Sequence, residues 1–114
     1  MVSKWEIYYC SLDPTLGSEQ KGTRPVLVIS TDSVNHNLPV STVLPLSSVK
    51  MGDKIYPTEV LLDPSVTGLS KLSVAMIQQI RTISHVRLSS LAGTISDNVT
   101  RERILGACRS YFDL

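Results

Sequence analysis

A chain of 114 residues has the size of one domain with a single modest core. Its 42% hydrophobic and 18% charged residues fit an ordinary globular protein, and no apolar run reaches the ~18 residues of a transmembrane helix. A net charge of +1 gives no overall field for a polyanion, so nucleic-acid binding would require a local basic groove.

The N-terminal MVSKWEIYY has no basic region ahead of an apolar stretch, so no signal peptide is expected and the expected compartment is the cytoplasm. Glu6–Leu12 mixes β-branched, aromatic and small residues and reads as a first strand, ended by Asp13-Pro14. Thr15–Thr23 reads as a loop freed by Gly17 and Gly22. Pro25–Ile29 is an apolar run of strand length, consistent with burial on both faces.

Ser30–Pro39 is turn chemistry throughout. Val40–Ser47 reads as a third strand, with Pro45 implying a bulge or an edge because proline cannot donate to the ladder. Gly52-Asp53 is a turn signal, Thr58–Leu62 returns as a strand, and Asp63-Pro64 with Gly68 marks a loop. Ser73–Ile83 alternates with period two and is expected to be one strand, and Leu91–Ile95 a short last one.

A helix closes the chain, capped by Ser96 or Asp97, with Ile104, Leu105, Cys108, Tyr111 and Phe112 on its apolar stripe. With neither repeat nor linker, residues 1–114 are expected to form one mainly-β domain: an SH3-like β-barrel covered by a C-terminal helix. Cys10 and Cys108 lack any ligand spacing and read as small buried side chains.

The carboxylates are scattered and the two histidines, His36 and His85, lie far apart, so no metal site is expected. No nucleophile elbow, phosphate loop or dinucleotide fingerprint is present, and no cofactor is expected. The histidines read as ordinary exposed side chains ahead of an acid/base pair.

Arg24 carries the most information. A residue before proline is held extended, so Arg24 leaves its loop in a fixed direction and presents a rigid fork of donors suited to phosphate. The plain alternative is a surface arginine paired with Glu19 of the same loop. Ser47 and Ser48 close the third strand, where hydroxyls are common caps. Gln78, Gln79, Arg81 and Thr82 place polar groups in an apolar strand, which either face solvent or require partners. Lys21, Lys50, Lys54, Arg81 and Arg87 are the further cations a groove could gather.

LDPTLGSEQKGTRPVLVIS (12–30), the following Asn35, TVLPLSS (42–48) and QQIRTI (78–83) together resemble the MazF/PemK toxins of bacterial toxin–antitoxin systems. The likeness covers nearly the whole chain. It implies an SH3-like barrel that homodimerises and cuts single-stranded RNA without a metal. The ribose 2′-OH would attack, leaving a 2′,3′-cyclic phosphate and a 5′-OH. By the same likeness the arginine of the family's RP motif falls on Arg24, its hydroxyl on Ser47 or the neighbouring Ser48, and its loop glutamate on Glu19. Gln20, Lys21, Thr23, Ser48, Gln79, Arg81 and Thr82 are the implied substrate contacts.

An arginine is a poor base, so Arg24 is assigned to the phosphorane charge and the leaving 5′-oxygen. Glu19 is left either to orient Arg24 or to take the 2′-OH proton. The implied protein partner is a MazE-like antitoxin whose acidic C-terminal tail lies in the RNA groove.

One departure stands out: Lys4-Trp5-Glu6 replaces the family's glycine before the first-strand acid. Trp5 is read as packing, with base stacking as the other option. CcdB-like gyrase poisons share the fold but end in a Trp-Gly-Ile tail, whereas this chain ends Tyr111-Phe112-Asp113-Leu114. A non-catalytic SH3-like adaptor is disfavoured by an aromatic content of 5%.

Overall fold

The computed structural model describes residues 1–114. Seven strands, β1 (Glu6–Ser11), β2 (Thr23–Val28), β3 (Val40–Ser48), β4 (Glu59–Leu62), β5 (Ser73–Met76), β6 (Arg81–Ser84) and β7 (Leu88–Thr94), precede the terminal helix. They are antiparallel in the order β4-β5-β3-β2-β1-β7, with β6 also on β3. Two single-turn helices, α1 (Asp32–Asn35) and α2 (Pro64–Thr67), interrupt the loops, and α3 spans Asn98–Phe112.

β2 is buried on both faces, as its unbroken apolar run requires. Leu27 joins a cluster with Ile7, Leu44, Leu46, Ile77 and Ile104, while Val26 and Val28 join a second with Cys10, Leu12, Val43 and Ile83. β2 begins at Thr23, two residues earlier than its apolar run, because Thr23 and Arg24 pair with Ser11 and Cys10 of β1. Arg24 is therefore a strand residue.

The expected single strand over Ser73–Ile83 is broken by a 3-10 turn at Ile77–Gln79. β5 pairs with Leu46–Ser48 and β6 with Val40–Val43 of the same β3, and the register changes by three residues between the two ladders. The break lies opposite Pro45, which has no amide hydrogen to donate to a facing strand, and within the break Ile77 N–H donates to Thr58 O at 3.0 Å.

Pro45 accordingly sits in a central strand, not at an edge. The expected loop at 63–68 is α2, capped by Asp63 on Ser65 N–H at 2.9 Å and closed by Gly68 at φ 80°. Part of the 30–39 turn segment is α1, and β7 starts at Leu88, three residues before the expected strand.

Asp97 caps α3, accepting from Thr100 N–H at 2.9 Å; the Thr100 hydroxyl and amide together hold its carboxyl below the usual range. Ile104 is buried and Leu105 and Cys108 are half-buried, but Tyr111 and Phe112 are exposed and meet each other edge to face at 5.2 Å. The apolar stripe thus ends one turn before the helix does. Both cysteines are free thiols, Cys10 buried and Cys108 half-buried.

Trp5 has φ 75°, a left-handed conformation that a residue with a Cβ adopts at a cost. It is held there by its own hydrogen bonds to Val28 O (2.8 Å) and from Ile95 N–H (2.9 Å), and the residue is only 8% exposed, with Lys4 and Arg101 over its ring. Packing, not base stacking, is the role it has.

Asn35 is buried at the end of α1. Its Oδ1 accepts from Ser30 Oγ and from Ser41 Oγ at 2.7 Å, while its Nδ2 donates to Ser30 O at 2.8 Å. Ser41 has one hydrogen and gives it to Asn35, so His85 Nε2, 2.7 Å away, must be the donor to Ser41. His36 bonds Ser3 Oγ at 3.1 Å and lies 3.7 Å from Asp32. Each histidine fastens a turn, and the two do not meet.

Candidate active site

Continuing the Val26–Pro45 register by two residues sets Arg24 opposite Ser47 on one face of the sheet. The guanidinium uses two of its five donors inside the protein: Nε to Lys21 O at 3.0 Å and Nη1 to Ser47 Oγ at 3.5 Å. Of the two serines, Ser47 is the one that meets Arg24. Val26, Val28 and Cys10, packed behind Arg24 on the same face, make its strand rigid. Burial pushes the Cys10 thiol up, against the lowering pull of Arg81 and Arg87.

Beside Arg24 lies a cavity of about 450 Å³ bounded by Tyr9, Lys21, Thr23, Ser48, Lys71 and Arg24 itself. Three cations line it and no carboxylate does. It opens where β3 leaves β2 to pair with β5, so the two strands part just beyond Val26 and Pro45. Such a concave, cationic, hydroxyl-bearing space fits a phosphate diester.

Glu19 does not orient Arg24. Its Oε1 accepts from Leu16 N–H at 2.6 Å, closing the loop on itself, and Lys21 O does the orienting. The one ion contact within 4.0 Å in the chain is His36 with Asp32, so Arg24 has no carboxylate partner.

The same loop is clamped to the 3-10 turn after β5. Gln20 N–H donates to Gln79 Oε1 at 3.1 Å, and Gln79 Nε2 donates to Ser18 O at 3.0 Å. A second cavity, about 270 Å³, lies here between Glu19, Gln20, Gln78, Gln79 and Arg81. Gln20 Oε1 is buried without a partner.

Arg81 spends Nη1 on Leu12 O at 3.1 Å and keeps its other donors. Thr82 lines neither cavity; its hydroxyl meets Thr42 Oγ1 at 2.9 Å, away from Arg24. Arg87 is taken up by the carbonyls of Ser11 and Asp13, and Lys54 lies over the Tyr56 ring. The groove therefore gathers Lys21 and Arg24 but not Lys54 or Arg87.

Two lining residues had no signal strong enough to single them out in the sequence. Tyr9 is an exposed aromatic on β1, beside the buried Cys10, and Lys71 arrives from the loop after α2. No three His, Cys, Asp or Glu side chains gather anywhere in the fold, and no helix is long and apolar enough to cross a membrane.

Residues 3–104 match the family described as PemK-like, MazF-like toxin of type II toxin-antitoxin system. Endoribonuclease EndoA of Bacillus subtilis is 35% identical over 99 residues, covering 87% of this chain and 84% of that protein. Among solved structures, the Mycobacterium tuberculosis toxin MazF-mt6 superposes with a TM-score of 0.76 at 28% identity, over 96% of this chain and 97% of that one. An endoribonuclease from a Mycobacterial species, solved in complex with its cognate antitoxin, gives 0.80 at 21% identity over 100% and 97%, a likeness of fold alone.

Proposed function

The chain belongs to the family of PemK-like, MazF-like toxins of type II toxin–antitoxin systems, and on that footing we propose that it is an endoribonuclease whose chemistry is centred on Arg24 and Ser47. The observation that carries the reading is the Nη1–Ser47 contact of an arginine that also lines a cavity holding three cations and no acid. A gyrase-poison reading has no such observation in its favour.

The substrate is single-stranded RNA and the reaction a transesterification. The ribose 2′-oxygen bonds to phosphorus, the bond from phosphorus to the 5′-oxygen breaks, one O–H is lost and one is formed. Products are a 2′,3′-cyclic phosphate and a 5′-OH, and no water is consumed. The three free donors of Arg24 face the charge that grows on the non-bridging oxygens, which is where a positioned donor acts most strongly. Ser47 sets the guanidinium and hydrogen-bonds the same phosphate.

Glu19, on the neighbouring cavity, is the group left to take the 2′-OH proton, while Gln20, Gln79 and Arg81 beside it hold the RNA on one side of the cut; Lys21, Thr23 and Ser48 hold it on the other. The working unit is a homodimer in the cytoplasm, and the antagonist is a MazE-like antitoxin whose acidic tail competes with RNA for the cations.

The test is incubation of the purified chain with end-labelled single-stranded RNA in excess EDTA. Cuts with cyclic-phosphate ends, lost in Arg24→Ala, are expected. RNA left intact across many sequences would refute the nuclease, and cuts abolished by EDTA would refute its metal independence.

A further inference from the structure

We propose that Lys71 binds a backbone phosphate of the RNA strand other than the one that is cut, where two neighbouring cavities adjoin. The inference rests on the endoribonuclease reading and extends its substrate path.

A third cavity, about 420 Å³, lies on the far side of Ser48 and Lys71 and is bounded by Lys50 and Asp53. Ser48 and Lys71 line both this space and the one at Arg24, so the two adjoin at these side chains. Along the two cavities stand Lys21, Arg24, Lys71 and Lys50 against a single acid, Asp53. That acid closes a turn, its Oδ2 accepting from Lys50 N–H at 2.8 Å, and is outnumbered four to one.

Lys71 is exposed, and no carboxylate lies within 4.0 Å of it. Its backbone is fixed, since Ser73 Oγ donates to Lys71 O at 3.1 Å and Val49 N–H to Leu72 O at 3.0 Å. The β3–β5 register, with Ser73 opposite Ser48, is what carries Lys71 over the end of β3.

The residue types divide the labour. Arg24 presents a directional fork where bonds change, whereas Lys71 is a point charge on a flexible stem, suited to holding a phosphate whose orientation does not matter. Four cations against one acid fit a ligand that repeats its negative charge. A phosphodiester chain does this at every step.

The measurement is the salt dependence of binding to an RNA carrying a 2′-deoxy nucleotide at the cut site. Each phosphate contact on a single strand contributes about 0.7 to the slope of log K against log salt. Lys71→Ala should flatten the slope by about 0.7, which is roughly five-fold weaker binding at 0.1 M salt. Lys71→Arg should restore it. Arg109→Ala, the same charge change on the exposed face of α3, should keep the wild-type slope.

Replacing RNA phosphates one at a time by methylphosphonates should reproduce the loss at a single position and add nothing there to Lys71→Ala. Equal slopes for wild type and Lys71→Ala, equal losses for Lys71→Ala and Arg109→Ala, or additivity at every phosphate would each overturn the proposal. So would an acidic peptide whose binding needs Lys71 while RNA binding does not. If wild type cuts no all-ribose RNA, the nuclease reading fails as well; if it cuts and the slopes agree, only Lys71 is wrongly placed.

Discussion

Arg24→Ala tests the catalytic assignment most directly. The side chain has five donors, of which Lys21 O and Ser47 Oγ take two, leaving three for a phosphate. Loss of one positioned donor to a developing oxyanion costs about 10²–10³ in rate, or about 2.7–4 kcal/mol. Removing the whole charged fork should cost at least that much in kcat.

Arg24→Lys keeps the charge but cannot bond Lys21 O and Ser47 at once, so it should fall between, at least ~10-fold below wild type. Neither change touches the apolar clusters, and the melting curve should move by no more than about 1 kcal/mol in stability. The assay is single-turnover cleavage of an end-labelled oligonucleotide with protein in excess, alongside circular-dichroism melts. Arg24→Ala cutting within ten-fold of wild type, while folded, would remove Arg24 from the chemistry.

Three further outcomes concern the scaffold. A Cβ on Gly93 would stand 1.9 Å from Thr67 O, where α2 presses on β7, so Gly93→Ala should destabilise by about 2–3 kcal/mol in urea titration. Trp5→Gly relieves about 1–2 kcal/mol of left-handed strain but forfeits a buried indole worth about 3–5, so net destabilisation of about 1–4 kcal/mol is expected, and wild-type stability would refute the packing role.

The Tyr8 phenol is pushed up to about 12 by burial first, then by its hydrogen bond to Glu6 and that carboxylate's charge. Folding therefore favours the neutral phenol. Its contribution is fully present below pH 10 and lost as pH rises towards about 12. Tyr8→Phe should flatten the stability profile across that window, and an unchanged profile would contradict the shift.

What could be read from the residues follows from how local each signal is. Asp97 as a cap, the two-faced burial of Val26–Val28 and the fixed exit of Arg24 before Pro25 depend on a few neighbours in sequence. The break at Ile77–Gln79 does not. Alternation runs unbroken through Val74–Ile83, and only the pairing against β3, with Pro45 in the middle, makes the chain turn out. Tyr111 and Phe112 follow the helical period, yet nothing lies under the last turn to bury them. At the site, Ser47 and Ser48 were set apart only by the family resemblance, and their register against β2 is what brings Ser47 to Arg24. Lys71 had no such signal, because its place depends on which strand β5 joins.

The absence of an acid beside Arg24 changes how the site binds. Had Glu19 paired with it, an incoming phosphate would have to displace a carboxylate, and much of the attraction would already be spent in the free protein. Here the glutamate closes its own loop through Leu16 N–H, and a neutral carbonyl, Lys21 O, aims the guanidinium. Orientation thus comes from a dipole, and the full positive charge stays available to the substrate. The same logic explains the rigidity behind it: an unpaired cation is useful only if it is held in place without a counter-ion. The buried Val26 and Val28, the β1 pairing at Cys10 and the Gln79 clamp on the loop hold it.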